Sequence, residues 1–151
     1  MSPERAQEEG IILVVAAGND GKDKNNSFLY KAYSKFDNIV IVAASTETDT
    51  LAGFSNYGNQ TVHLAAPGEK IYSTGHNTSV PYLHKQGTSM AAPHVTGALA
   101  LMMARFPAYT YQQLIQKLLD NSDNIPALNN YVMNGRRLNL EKAIDPPLIM
   151  F

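Results

Sequence analysis

The chain has 151 residues, the size of one domain, and 44% of them are hydrophobic, so it can bury a core. Its formal net charge is -1, and no basic stripe or polybasic run indicates binding to nucleic acid or to an anionic membrane. The absence of cysteine excludes disulfides, thiolate metal sites and cysteine nucleophiles.

The first ten residues are polar and charged, with no apolar segment and no cleavage site of a signal peptide. Within them, ERAQEEG is typical of the last turns of a helix that ends at Gly10. We therefore expect the beginning of this helix to lie upstream of the sequence. No apolar run along the chain is long enough to span a bilayer.

Three short apolar runs in the first half predict strands, at Ile11 to Ala17, Asn38 to Ser45 and Val62 to Gly68. The first two runs are continuous rather than alternating, which is typical of strands buried on both faces of a parallel sheet. The first run ends at a polar loop, GNDGKDKNNS.

The second half predicts helices. From Ser89 to about Phe106 the chain is apolar nearly all round, which predicts a central, buried helix. Pro93 is expected in or just past its first turn, where a missing N–H costs little.

Two further helices follow this one. The next, TYQQLIQKLLDNS, begins with a capping-box pattern of Thr110 and Gln113 and carries one apolar stripe, so it is expected on the surface. NLEKAI predicts a short last helix that ends before Pro146-Pro147.

Strands followed by a buried helix and outer helices predict an α/β fold in three layers. We expect a partial parallel sheet of about three strands, with the buried central helix carrying a candidate nucleophile. At least one edge of so thin a sheet is expected to be long, flat and apolar, which favours a homo-oligomer through that edge.

The candidate nucleophile is Ser89, in the segment GTSMAAPHVTGALALMM. A serine hydroxyl needs a base, a group that orients the base, and donors for the developing oxyanion. Gly87 permits a tight turn and close approach of a substrate, and the helix N-terminus supplies N–H groups. Taken alone, so short a pattern favours an ordinary helix cap over a nucleophile.

Four segments together resemble the subtilisin-like serine proteases, the subtilases. GTSMAAPHVTGALALM resembles the family's nucleophile segment, and VVAAGND the strand and loop that carry its oxyanion asparagine. FSNYGNQTVHLAAPGEKIYST is similar to the stretch between these two, and NGRRLNLEKAI to the end of the catalytic domain. The resemblance implies that residues 1–145 are the C-terminal portion of a subtilisin-like peptidase domain, followed by a tail at 146–151.

The resemblance further implies a serine-type endopeptidase acting on polypeptides, with Ser89 as nucleophile. It assigns the side chain of Asn19 and the backbone N–H of Ser89 as the oxyanion donors. A sheet brings strand ends together, so their separation along the chain is no obstacle. Without the Ser89 segment, Asn19 would be interpreted as a residue of an Asn-Asp-Gly turn.

The family's triad runs in the order Asp, His, Ser, and its first two segments belong upstream of Asn19. None of the four histidines lies in a segment that resembles the histidine motif. His94 belongs to the nucleophile motif and is expected to pack beside the helix, whereas His84, in a predicted loop, is a weak candidate for a substitute base. The remaining candidates are expected at a strand end or in loops: His63, His76, Asp20, Asp37 and Asp49.

We therefore expect the chain to be inactive alone and to need a missing N-terminal half that carries Asp and His. Loss of the base in subtilisin itself costs about 10⁶ in turnover. The alternative is a stand-alone pseudoprotease or protein-binding module that self-associates or pairs with such a half.

Three further expectations depend on the resemblance. The family usually has Tyr-Pro-Ala at Tyr30-Lys31-Ala32, so Lys31 leaves the primary specificity pocket and the peptide preference open. Calcium is implied as a common cofactor of the family, although GNDGKDKNNS matches no complete calcium pattern and fits a polar turn better. The parent protein is expected to be a secreted bacterial enzyme.

Overall fold

In the computed structural model, which describes residues 2–77 and 79–145, three parallel strands form where the sequence predicts them. They are β1 (Leu13–Ala16), β2 (Ile39–Ser45) and β3 (Leu64–Pro67), with β2 in the middle. Every residue of β2 is buried, as expected for a strand covered on both faces. The predicted tail at 146–151, with its two prolines, lies outside the described residues.

Two strands that the sequence analysis missed widen the sheet, β6 (Asp123–Asn124) and β7 (Arg136–Arg137). The order is β1-β2-β3-β7-β6, with β7 parallel to β3 and β6 antiparallel to β7. Each has two residues, too few to produce a period in the sequence. In the described chain β1 is an edge strand of only four residues, so the open edge is shorter than expected.

A separate antiparallel hairpin follows the third strand, in a region where the sequence analysis predicts loops. It consists of β4 (Ile71–Asn77) and β5 (Val80–Lys85), which pair with each other and not with the main sheet. The loop assignments of His76 and His84 are therefore wrong, because His76 lies in β4 and His84 in β5. Both strands are mostly exposed and contain Gly75 or Pro81, so they lack the apolar pattern by which sequence analysis finds strands.

Helices cover both faces of the sheet, which confirms the three-layer α/β fold. One face packs against α3 (Thr88–Arg105), α4 (Tyr111–Asp120) and α5 (Leu140–Ile144). The other face packs against α2 (Phe28–Tyr33) and the 3-10 turn at Pro126–Leu128. The capping box of Thr110 and Gln113 at the start of α4 is confirmed.

The burial expected for α3 is confirmed for one face only. Val95, Leu99 and Met102 are buried against the sheet, whereas Leu101 on the opposite side is 51% exposed. Pro93 is the sixth residue of α3 and so lies just past its first turn, as expected. Apolar composition alone does not reveal what covers each side of a helix.

The first helix, α1 (Pro3–Glu8), ends before Gly10 as expected. Within this chain Ser2 is its N-cap and accepts a hydrogen bond from the Arg5 N–H. The expectation that the helix begins further upstream stays a prediction.

Candidate active site

Ser89 is the second residue of α3 and is exposed. The N-cap, Gly87, has a φ of 145° and has no side chain that could cap the helix. The first N–H groups of a helix have no acceptor within it. Among the described residues, the Ser89 N–H has no hydrogen-bond acceptor and remains available to a ligand.

Asn19 follows β1 and is held to the start of α3 by Thr88. Its Oδ1 accepts hydrogen bonds from the Thr88 N–H at 2.9 Å and from the Thr88 hydroxyl at 3.0 Å. The Thr88 Oγ1 also accepts a hydrogen bond from the Gly18 N–H at 3.0 Å. With Oδ1 engaged in this way, the orientation of the Asn19 amide is fixed, and its Nδ2 has no acceptor in the described part of the chain.

Asn19 Nδ2 and the Ser89 nitrogen lie close to the same position beside Gly87. A methyl group on Gly87 would lie 3.5 Å from Asn19 Nδ2 and 3.7 Å from the Ser89 nitrogen. Glycine places no side chain at this position, next to the two groups. Two N–H donors that bind the same oxygen stabilise a developing oxyanion, and these two are the candidates for that role. We call Gly18, Asn19, Gly87, Thr88 and Ser89 the Asn19–Ser89 corner.

No histidine within residues 2–77 and 79–145 hydrogen bonds to Ser89. His94 is exposed, and its Nδ1 pairs with the carbonyl of Met90, one turn earlier in α3, at 2.8 Å. The Nδ1 of His84 pairs with the carbonyl of Lys70 at 3.2 Å, and its ring lies 4.9 Å from that of Tyr72. The structure thus brings together Ser89 and Asn19 but adds no base to them.

His63 lies directly before β3, as predicted, and its ring takes part in the packing of the sheet rather than in the candidate active site. Its Nδ1 accepts a hydrogen bond from the Ile41 N–H at 2.9 Å. Burial, together with the nearby charge of Arg136, lowers the pKa of His63 to about 4. The ring is therefore neutral near pH 7 and acts as an acceptor that joins the edge of β3 to β2.

The polar loop after Asn19 uses its side chains for contacts within the protein. The Asp20 carboxylate accepts a hydrogen bond from Asn56 Nδ2 at 3.2 Å, and Asp23 accepts one from the Asn25 N–H at 2.8 Å. In the parts of the chain that the structure describes, no three His, Cys, Asp or Glu side chains are grouped so as to hold a metal ion. The calcium expectation stays a prediction.

Tyr30-Lys31-Ala32 lies inside α2. The Tyr30 hydroxyl donates a hydrogen bond to the carbonyl of Ala17, directly before the corner. Burial raises the pKa of Tyr30, so this hydroxyl keeps its proton. Lys31 is exposed and donates to Asn26 Oδ1 at 3.2 Å.

Sequence reasoning missed the partners of this site. Thr88 holds Asn19, and Asn56 holds the loop that follows it, through side-chain contacts between distant segments. No local pattern in the sequence marks such a contact, since it depends on how β1, β2 and α3 pack.

Comparison with known proteins identifies close similarity along most of the chain. The model of the subtilase family, peptidase S8, matches residues 2–137. Subtilisin-like protease 2 of Plasmodium falciparum is 36% identical over 145 residues, which cover 93% of this chain and 11% of that protein. The extracellular serine proteinase of Thermus sp. strain Rt41A is 41% identical over 110 residues, covering 73% of this chain and 26% of that protein.

A solved structure shares the fold. The A-subunit of the AB5 toxin from E. coli superposes with a TM-score of 0.77 at 30% identity, over 94% of this chain and 53% of that one. The chain thus spans about half or less of the length of these relatives. None of the described helices is long and apolar enough to cross a membrane.

Proposed function

The chain belongs to the subtilase family, and from that premise we propose that it supplies the nucleophile and the oxyanion hole of a serine-type endopeptidase. Ser89 is the nucleophile in this proposal, and Asn19 Nδ2 and the Ser89 N–H are the oxyanion donors. The observation that carries it is that Asn19 Nδ2 and the nitrogen of the exposed Ser89 lie 3.5 and 3.7 Å from one position beside Gly87.

The proposed reaction is the hydrolysis of a peptide bond. The Ser89 Oγ adds to the carbonyl carbon while a base takes its proton, and the carbonyl oxygen becomes an oxyanion between the two N–H donors. The C–N bond then breaks as the nitrogen takes that proton, which leaves an acyl group on Ser89. Water, deprotonated by the same base, releases the acid and restores the serine.

The base and its orienting acid are proposed to come from a histidine and an aspartate of the N-terminal half of a subtilase domain. In this view residues 1–145 are the C-terminal portion of the domain, and the substrate is a polypeptide. The absence of a histidine bonded to Ser89 among the described residues supports the expectation that this chain alone is inactive. Subtilisin without its base loses about 10⁶ in turnover.

The surface that would receive such a half is apolar. The outer face of α3, which we define by Gly97, Ala100, Leu101 and Ala104, is exposed, and a methyl group on Gly97 would meet nothing within 4 Å. Leu101, Ala104 and Ile144 also line a cavity of about 360 Å³. Beside α3, strand β1 is paired on one side only in the described sheet.

The same surface favours a second candidate function, a protein-binding module that self-associates or pairs without catalysis. A bare apolar helix face beside an edge strand is a suitable interface for either role. The two functions differ in what happens after association, since only the first predicts cleavage of a peptide.

Complementation tests the proposal. The chain is mixed with a separately produced N-terminal subtilase half that carries Asp and His, and hydrolysis of a chromogenic peptide is followed. The proposal predicts hydrolysis by the mixture and by neither chain alone, with no hydrolysis when Ser89→Ala replaces the wild-type chain. Tight association without hydrolysis would support the binding module instead.

Secretion of the parent protein is also proposed, with support from the Thermus relative, whose name describes it as extracellular. An antibody against this chain should detect the parent protein in culture medium rather than in washed cells. Detection only inside cells would contradict this.

A further inference from the structure

Asn56, in the segment after β2, is 2% exposed and bonds to both sides of Asn19. Its Oδ1 accepts hydrogen bonds from the N–H of Asp20 at 3.1 Å and from that of Lys22 at 3.0 Å. Its own backbone N–H donates to the carbonyl of Gly18 at 2.8 Å. One buried side chain and its peptide group thus hold the backbone directly before and directly after Asn19.

The amide of Asn56 also packs against Gly18. A methyl group on Gly18 would lie 2.5 Å from Asn56 Nδ2, and the φ of Gly18 is 87°, a value that favours glycine. Nδ2 itself donates to Asp20 Oδ2 at 3.2 Å. A buried amide without hydrogen-bond partners lowers the free energy of unfolding. Asn56 and the loop therefore fix each other in place.

We infer that Asn56 is a positioning residue that holds Asn19 at its place in the oxyanion hole. The inference rests on the proposed function of the Asn19–Ser89 corner. Thr88 fixes the side chain of Asn19, whereas Asn56 fixes the backbone that carries it. None of the hydrogen bonds of Asn56 in the described structure reaches Ser89, so it acts through the loop.

Such an anchor affects the transition state more than substrate binding. The oxyanion forms only as the carbonyl is attacked, so a displaced donor lowers kcat and leaves KM nearly unchanged. A displacement of about 1 Å in a catalytic group costs up to about 10²-fold in rate.

Asn38 provides a matched control. It is fully buried, and its Nδ2 donates to the carbonyl of Ile11 at 2.9 Å and to that of Pro3 at 3.4 Å. It therefore ties the chain at the opposite end of β1, with no bond to the Asn19–Ser89 corner. Asn38→Ala removes a comparable buried amide without touching the oxyanion loop.

The first experiment measures kcat and KM of the two-chain assembly, at a temperature where every variant is folded by circular dichroism. Asn56→Ala is expected to lower kcat by about 10-fold to 10²-fold with KM unchanged. Asn38→Ala is expected to retain the wild-type kcat. Equal losses in both variants, or an effect of Asn56→Ala on KM alone, would overturn the inference.

A conservative exchange tests the same contact without removing it. Asn56→Asp keeps the oxygen acceptor but faces the Asp20 carboxylate, so kcat should fall. The double variant Asp20→Asn with Asn56→Asp exchanges the amide and the carboxylate and should recover most of the lost kcat. If the double variant is no faster than Asn56→Asp, the positioning role is wrong.

A measurement independent of activity uses nuclear magnetic resonance on the wild-type 151-residue chain. Scalar couplings across the hydrogen bonds are expected between the amide nitrogens of Asp20 and Lys22 and the Asn56 side-chain carbonyl carbon. Asn56→Ala should also shift the Asn19 side-chain amide signal, and Asn38→Ala should leave it in place. Missing couplings, or an unmoved signal in Asn56→Ala, would overturn the inference, whereas an inactive wild-type assembly would contradict the proposed function instead.

Discussion

The Asn19–Ser89 corner lies at the start of α3 and the outer face lies along the same helix, but the two differ in how far this chain completes them. At the corner, Thr88 and Asn56 satisfy the polar groups around Asn19, and the donors left over are those that a reaction would use. On the outer face, Leu101 is 51% exposed and Gly97 has open space beside it. A few hydrogen bonds are thus enough to assemble the polar site, whereas the apolar helix face can be buried only by a further layer of protein.

The largest expected effect is the loss of hydrolysis when the nucleophile of the Asn19–Ser89 corner is removed. Ser89→Ala should abolish hydrolysis by the two-chain assembly, a loss of about 10⁶ by analogy with subtilisin. Association with the N-terminal half, measured by isothermal titration calorimetry, should not change, because Ser89 is exposed at the helix start. Retained hydrolysis would exclude Ser89 as the nucleophile.

Removing the side-chain donor should have the next largest effect. Asn19→Ala is expected to lower kcat by about 10²–10³, the loss reported for the corresponding donor in subtilisin, the family's namesake. Asn25→Ala, in the same polar loop, serves as the control and should leave kcat unchanged. A kcat within twofold of wild type for Asn19→Ala would remove that side chain from the oxyanion hole.

A substitution on the outer face should affect assembly rather than chemistry. Leu101→Glu places a charge on the apolar surface and should weaken association with the N-terminal half by about 10-fold or more, since an unpaired buried charge is costly. Glu141→Gln provides a polar control elsewhere on the surface. When the N-terminal half is present at a saturating concentration, kcat of Leu101→Glu should equal that of the wild type. A lowered kcat would show that the outer face of α3 affects the chemistry as well as the assembly.

A fourth effect concerns neither region and acts on stability rather than activity, at the buried edge of the sheet near His63. The pKa of His63 is about 4 in the folded chain, below the usual 6.5, so the unfolded state binds the proton first as pH falls. Stability from this residue is complete above pH 6.5 and declines by up to about 1.4 kcal/mol per pH unit towards pH 4.

His63→Gln keeps an acceptor for the Ile41 N–H without a titrating ring. Urea unfolding of this variant should therefore depend less on pH between 6.5 and 4 than that of the wild type. The lowered pKa of Asp123, about 2 beside Lys142 and Arg137, acts below pH 3.8 and does not overlap this window. Identical pH profiles for both chains would show that His63 is not the responsive group.

The sequence predicts the apolar elements of this fold well, because β2 is a continuous apolar run and α4 has an apolar stripe and a capping box. It predicts the hairpin of β4 and β5 poorly, since these exposed strands have no regular apolar pattern. Ser89 and Asn19 were found through the family resemblance, and the structure brings them together. The positioning role inferred for Asn56 could not be predicted from the sequence, because it depends on contacts between segments far apart in the chain.

We propose that this chain supplies a nucleophile and an oxyanion hole but takes its base from another segment. The most direct test is the rate at which a fluorophosphonate probe labels Ser89, measured by mass spectrometry with and without the N-terminal half. We expect slow labelling of the isolated chain and rapid, stoichiometric labelling in the assembly. Rapid labelling of the isolated chain would show instead that Ser89 already has a base within this chain.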